Sequence, residues 1–369
     1  MRKASILLSL VLLFFVSNSI AQVKNQRFFN VSYESGPMLS NGTEWGDNIK
    51  DLVNYKAIDL QLGWRSLSNS KYDYLYRYPV FGFGFNSALT YTREIGRPMA
   101  FYGWVDIPFS LQRPNRNLSF GYFSQMGIGF NLTPYDPDSN PDNQYIGSNI
   151  NAYVHLGFYG KYQITERVGL RAGFGLKHYS NGATKRPNAG INLFPLNLAM
   201  NIRLGELTTI PDQKPEIPEK ELKSFVNLAL YTGMRNYEIG DPAYFRGGLG
   251  INYLIEPSYK YRLGLGLDLF WAQGMELRFP GENFSFKDQT SLAVVGSWEW
   301  QLTSRLFVPI GLGVYLYRNE INQEFTWYYE RIGVRYRFGD ALSAGMSIKA
   351  HRAKADFFEF TLGYTIPRK

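Results

Sequence analysis

His178 and Ser180 stand two apart at the head of the segment His178-Tyr-Ser-Asn-Gly-Ala-Thr-Lys-Arg-Pro-Asn-Ala-Gly-Ile-Asn192. Residues two apart on an extended strand share a face. A serine hydroxyl beside an imidazole is the pattern of an activated nucleophile, because the ring takes the hydroxyl proton as the oxygen attacks. In a simple hairpin, Asn192 on the returning strand comes close to His178 and adds a third polar side chain. Asn188 and the backbone N–H groups near it are candidate donors to an oxyanion. The plainer reading is polar side chains at strand ends, joined by ordinary Gly/Asn/Pro turn chemistry.

Rival sites are few. His155 and His351 are the other histidines. His155 alternates with Val154 and Leu156, and His351 shares a row with Ser347 and Lys349, so both point away from the apolar face. Glu359 is on the matching inward row of the last strand. The sequence has no G-x-S-x-G elbow, phosphate-binding loop, H-E-x-x-H pair or EF-hand loop. It has no Cys, which excludes a thiol nucleophile, a disulfide framework, a Cys-type zinc site and a lipoprotein anchor. No cofactor is expected.

The strand that carries the pair alternates over its whole length. In 167–180 the even positions Val168, Leu170, Ala172, Phe174 and Leu176 lead to His178 and Ser180. The odd positions are Arg167, Gly169, Arg171, Gly173, Gly175, Lys177 and Tyr179. The split recurs in 305–316 and in 260–270, where Tyr261, Leu263, Leu265, Leu267 and Leu269 oppose Lys260, Arg262, Gly264, Gly266 and Asp268. A period of two is also what a soluble sandwich would show. Three features favour membrane. Phe, Tyr and Trp make up 17% of the chain, with 36 Gly. Segment lengths suit tilted spanning strands. Residues 1–21 read as a signal peptide, with basic Arg2 and Lys3, apolar Ile6–Phe15 and the small-residue site Ser19-Ile20-Ala21.

The expected fold class is therefore an all-β, antiparallel outer-membrane barrel. Strands are expected near 26–35, 56–66, 79–89, 99–111, 117–130, 148–162, 167–180, 190–204, 224–234, 244–256, 259–271, 289–302, 305–317, 325–338, 342–351 and 355–366. Tight turns near 163–166, 256–258, 302–304 and 339–340 fall on the periplasmic side, and long polar loops at 36–55, 131–147, 181–189 and 272–288 fall outside. One long connection, 67–78, breaks that pattern. Residues 205–223 carry three prolines and many charges and read as a periplasmic linker. They divide a first region, 22–204, from a second, 224–369. One barrel of about 16 strands, or two eight-stranded barrels in tandem, would fit. In a wide barrel the inward Arg167, Arg171, Lys177, Arg331, Arg335 and Arg337 would line an anion-conducting pore. The net charge of +8 resides in such rows and in loops, so no nucleic-acid partner is expected.

The string His178-x-Ser180-Asn181-Gly182…Pro187-Asn188-x-Gly190-x-Asn192 resembles the signature of the lipid A 3-O-deacylases, the acyloxyacyl hydrolases of the outer membrane. The resemblance covers the first region only. It implies an eight-stranded barrel with a serine-hydrolase site facing the outer leaflet, and lipid A of lipopolysaccharide as the partner. Ser180 then resembles the nucleophile, His178 the general base and Asn188 the oxyanion residue. Asn192 stands where the best-known members carry a glutamate that orients the histidine. Lys185 and Arg186 lie where lipid A phosphates would meet the protein. The alternative class is a non-catalytic barrel, either a porin or a structural protein.

Overall fold

The computed structural model describes residues 25–42, 44–112 and 116–368. The expected signal peptide lies outside the described residues. Among them no helix is long and apolar enough to cross a membrane, and the chain is built from strands.

Two closed antiparallel barrels form. The first runs as a meander through β1 (Asn25–Gly36), β2 (Tyr55–Ser66), β3 (Val80–Ala88), β4 (Gly96–Pro108), β5 (Leu118–Leu132), β6 (Asn151–Gln163) and β7 (Val168–Ser180). Its eighth strand is broken into β8 (Ile191–Leu193) and β9 (Leu196–Leu204). Pairing of β9 with β1 and with β7 closes the ring. The break falls at Phe194-Pro195, where proline has no N–H for a ladder. There Phe194 donates instead to Pro37 O at 3.0 Å. The second barrel, β10 (Lys223–Asn236), β11 (Ala243–Ser258), β12 (Tyr261–Ala272), β13 (Thr290–Gln301), β14 (Leu306–Tyr317), β15 (Tyr328–Phe338), β16 (Leu342–His351) and β17 (Lys354–Arg368), closes through β10 and β17.

The sixteen expected segments thus form, but as the tandem arrangement and not as one wide ring. Closure within each half leaves no sheet edge facing lipid, where unpaired N–H and C=O groups would be costly. The apolar rows face outward. Leu170, Phe174 and Leu176 on β7 are about half exposed, as are Leu263, Leu265 and Leu267 on β12. Phe109, Phe120 and Tyr162 form an exposed aromatic group at the end of the barrel where β4 gives way to β5, as expected of an interfacial girdle.

An eight-stranded ring has an interior that side chains just fill. In the first barrel Lys177 pairs with Glu34 and donates to Tyr55 Oη at 2.8 Å. Asn86 bridges Glu34 and Asp59, each at 3.1 Å. In the second, Arg331 meets Asp268 and Glu359 at 2.6 Å, and Lys349 meets Asp356 at 2.8 Å. Arg171 pairs with Asp106 at 3.1 Å, and Arg337 with Glu299 at 2.6 Å. These cations are partnered inside filled barrels, so the wide anion-conducting lumen does not form. Arg167 is a further correction. It sits in the β6–β7 turn, exposed, and donates to Gly205 O at 2.8 Å.

Both ends of the first barrel are covered. At one end, α1 (Glu44–Leu52) buries Ile49 with Val53, Leu132, Tyr145 and Leu193 over the mouth. At the other end the anomalous 67–78 connection holds α2 (Lys71–Leu75), and its length has a reason. Tyr76 donates to Gln301 O of the second barrel at 2.5 Å and packs 6.4 Å from Trp300. Lys71 lies 3.8 Å over the Tyr259 ring, and Asn69 reaches Gln213 O in the linker at 3.3 Å.

Two outcomes are expected from these filled lumens. Reconstituted into planar bilayers, the purified protein should give no porin-like conductance steps. Replacing Glu34 by Ala strands Lys177, which is fully buried. Loss of one partner of a buried ion pair costs about 3–5 kcal/mol, readable as a lowered urea midpoint for unfolding from lipid vesicles.

Candidate active site

The hairpin between β7 and β8 brings the expected residues together. Its register sets His178 opposite Asn192, and His178 Nδ1 lies 2.7 Å from Asn192 Oδ1. An amide oxygen only accepts, so the bond requires the proton on Nδ1 and leaves the Nε2 lone pair free. Asn192 is held in turn through its own backbone, whose carbonyl accepts from Leu39 N–H at 2.8 Å. Met38 bridges Leu193 beside it.

Ser180 ends the same outward row two residues beyond His178. It is 3% exposed although every apolar residue of that row nearer the membrane centre is open. Among the described residues Ser180 makes no hydrogen bond with His178; such bonds commonly tighten only once substrate is in place.

The loop is built on Asn181. Its Nδ2 donates to Lys185 O at 2.7 Å and to Ser148 Oγ at 2.9 Å. Its backbone N–H donates to Asn188 Oδ1 at 3.0 Å. With Oδ1 occupied, the Asn188 amide nitrogen is the end left to serve as a donor. The β5–β6 loop runs alongside, taking the Gly190 N–H on Tyr145 O at 2.9 Å. Gly190 has φ +78°, and a Cβ there would stand 2.5 Å from His178 Cε1. Glycine is required both for that backbone and for room beside the imidazole.

Lys185 is exposed at the tip of the loop. Arg186 is half-buried, and its Nε donates to Asn236 O of the second barrel at 3.4 Å. That burial holds its guanidinium below the usual arginine pKa. His155, His351 and Glu359 are inside the barrels, as their rows predict. Sequence reasoning assigned no role to Asn181 or Gly190, although both were in the quoted string. It missed Ser148, Tyr145 and Asn236 entirely, because long-range loop contacts leave no periodic signal.

Residues 39–201 match the family model of lipid A 3-O-deacylase (PagL). Residues 224–369 match that of the acyloxyacyl hydrolase C-terminal domain. The first barrel is thus identified with the lipid A 3-O-deacylase family, and the second with the acyloxyacyl hydrolase C-terminal domain. The first match takes in every residue of the constellation. The second corrects the expectation that the family likeness stops with the first region, since its bounds are those of the second barrel. With this family and these lipid-facing rows, the protein is an outer-membrane barrel protein. Comparison with curated proteins finds no match. Among solved structures, the outer membrane enzyme PagL is 17% identical, with 46% of this chain and 97% of that one covered, at a TM-score of 0.30. Pseudomonas aeruginosa OccK2 is 9% identical over 93% of this chain and 96% of its own, at 0.22. A BenF-like porin from Pseudomonas fluorescens is 10% identical over 95% and 100%, at 0.23. None superposes closely enough to carry an inference.

If Asn192 orients the imidazole, Asn192→Ala should lower ester hydrolysis by about 10²-fold, the scale of a misplaced catalytic group. Asn192→Glu should preserve or raise it. Rates of fatty acid release from purified lipid A check both.

Proposed function

We propose that this protein is a serine esterase of the outer membrane that removes an ester-linked acyl chain from lipid A. The observation that carries the reading is the His178–Asn192 hydrogen bond on a lipid-facing row that ends at Ser180. The family match supplies the substrate class.

The chemistry follows from the residue types. Ser180 Oγ attacks the acyl carbonyl as His178 Nε2 takes its proton. Strand geometry sets the two Cα atoms roughly 7 Å apart on one face, within reach of each other's side chains. The carbonyl oxygen becomes an oxyanion, to which the Asn188 amide and loop N–H groups donate. Collapse of the intermediate expels the sugar hydroxyl, which recovers the proton from His178 and leaves an acyl-serine. Water, deprotonated by the same ring, then releases the fatty acid and restores Ser180.

Two features of the surroundings support a lipid substrate. The outward row lets an acyl chain reach Ser180 without leaving the hydrocarbon, whereas a lumen site would expose it at about 0.8 kcal/mol per CH₂. Lys185 and Arg186 flank the loop at the level of the headgroups, where cations suit phosphates. Of the two, Lys185 is the more open. Asn192 holds the ring but offers no charge to the imidazolium, so turnover is expected to be slower than with a carboxylate there.

Ser180→Ala should abolish fatty acid release while the barrel stays heat-modifiable on gels. His178→Ala should do the same, and the double variant should lose almost nothing more, since members of one catalytic unit are non-additive. The readout is the lipid A mass profile of cells with and without each protein. An unchanged profile with the native protein, or an active Ser180→Ala, would instead support a non-catalytic barrel.

A further inference from the structure

The second barrel touches the site's loop through Asn236 and Phe358. Asn236 lies on the outward row of β10, in line with Leu228, Leu230 and Met234, each more than 40% exposed. Asn236 itself is 2% exposed. What covers it is the 181–190 loop of the first barrel. Asn236 N–H donates to Ala183 O at 2.8 Å, and its Oδ1 accepts from Arg186 N–H at 3.3 Å. Its own amide nitrogen is anchored on Pro242 O at 3.3 Å and on Asp241 O at 2.5 Å. Beside it Phe358, on the outward row of β17, packs against Gly182. A Cβ on Gly182 would overlap that ring, and φ there is +61°. A buried asparagine in a lipid-facing row is costly unless its hydrogen bonds are made; here its own β10–β11 loop takes the amide nitrogen, and the first barrel meets the oxygen and the backbone N–H.

These contacts continue to the oxyanion residue. Asn236 fixes Arg186, Asn181 Nδ2 fixes the preceding Lys185 carbonyl, and Asn181 N–H fixes Asn188 Oδ1. We propose that Asn236, with Phe358 beside it, is a positioning residue that seats the 181–190 loop from the second barrel and so aims the Asn188 amide. The second barrel is thereby part of the working enzyme, not a separate module. This rests on the esterase reading above, in which Asn188 stabilises the oxyanion.

The test uses the full-length protein in detergent or vesicles, with heat-modifiability confirming that each variant is folded. Asn236→Ala should lower kcat by about 10–10²-fold, the scale of a small misplacement of a catalytic group, with KM changed less than about 2-fold. Phe358→Leu should act in the same direction, more weakly. Asn188→Ala alone should cost about 10²–10³-fold, as for loss of one oxyanion donor. In the Asn188→Ala background, adding Asn236→Ala should have almost no further effect. A purely structural role would lower activity equally in both backgrounds and would overturn the proposal. So would native kcat in Phe358→Leu together with native kcat, or failure to fold, in Asn236→Ala. If instead Ser180→Ala is active, the esterase reading itself fails, which is a different result from an inactive Ser180→Ala with a fully active Asn236→Ala.

Discussion

Hydrocarbon offers a peptide group nothing to bond to, and this molecule follows from that. Every strand must pair on both sides, so each half of the chain closes on itself. Closure at eight strands fixes a narrow lumen, and inward side chains must fill it. Filling it with Gly, Tyr, Asn and paired charges leaves the outer wall apolar. A chemical site then has few places to go. The lumens are occupied by Lys177–Glu34 and Arg331–Asp268–Glu359 networks. What remains is the outer wall where it meets the headgroups, and the His178–Ser180 row ends there.

A site on the wall gains precision from the strands and loses it at the loop. His178 and Asn192 sit on paired β7 and β8, whose register sets the ring against the amide. Asn188 sits on the loop, the least constrained part of the constellation. The hydrogen bonds of Asn181 and the contacts from Ser148, Tyr145 and Asn236 converge on that segment. The support is thickest where the scaffold is weakest, as expected when catalytic geometry must be held to a fraction of an ångström.

Much of this was legible in the sequence because a period of two is a local property. The outward rows of β7, β12 and β14 and the inward direction of His155 and His351 follow from counting by twos, and the opposition of His178 and Asn192 from a simple hairpin register. How the rings close does not. Whether β1 pairs with β9 or with β17 leaves every alternation unchanged, so one barrel and two looked alike from the pattern. Arg167 was misread because the alternation was carried one residue past the strand into a turn. The 67–78 connection looked anomalous only because its partner, the Gln301 end of β13, is more than 200 residues away. Asn236 was invisible for a similar reason. It reads as a polar residue ending a strand, and only the other barrel explains it.

The register of β7 ties folding to chemistry in one further way. Lys177 precedes His178, and alternation sends the two to opposite sides of the wall. Inside, Lys177 is fully buried against Glu34 and Tyr55. Four residues earlier than Gly175, Arg171 is likewise inward and paired with Asp106. A slip of β7 by one residue would turn both cations toward lipid, and would turn Leu170, Phe174 and Leu176 into a polar lumen. A lysine or arginine on the lipid face costs about 2–4 kcal/mol at mid-membrane and less near the interface. That penalty comes on top of the broken ion pairs. The same slip would carry His178 and Ser180 inside, away from any acyl chain. The charges in the lumen therefore do more than fill space. By making the wrong register expensive, they keep His178 and Ser180 on the lipid-facing side of the wall.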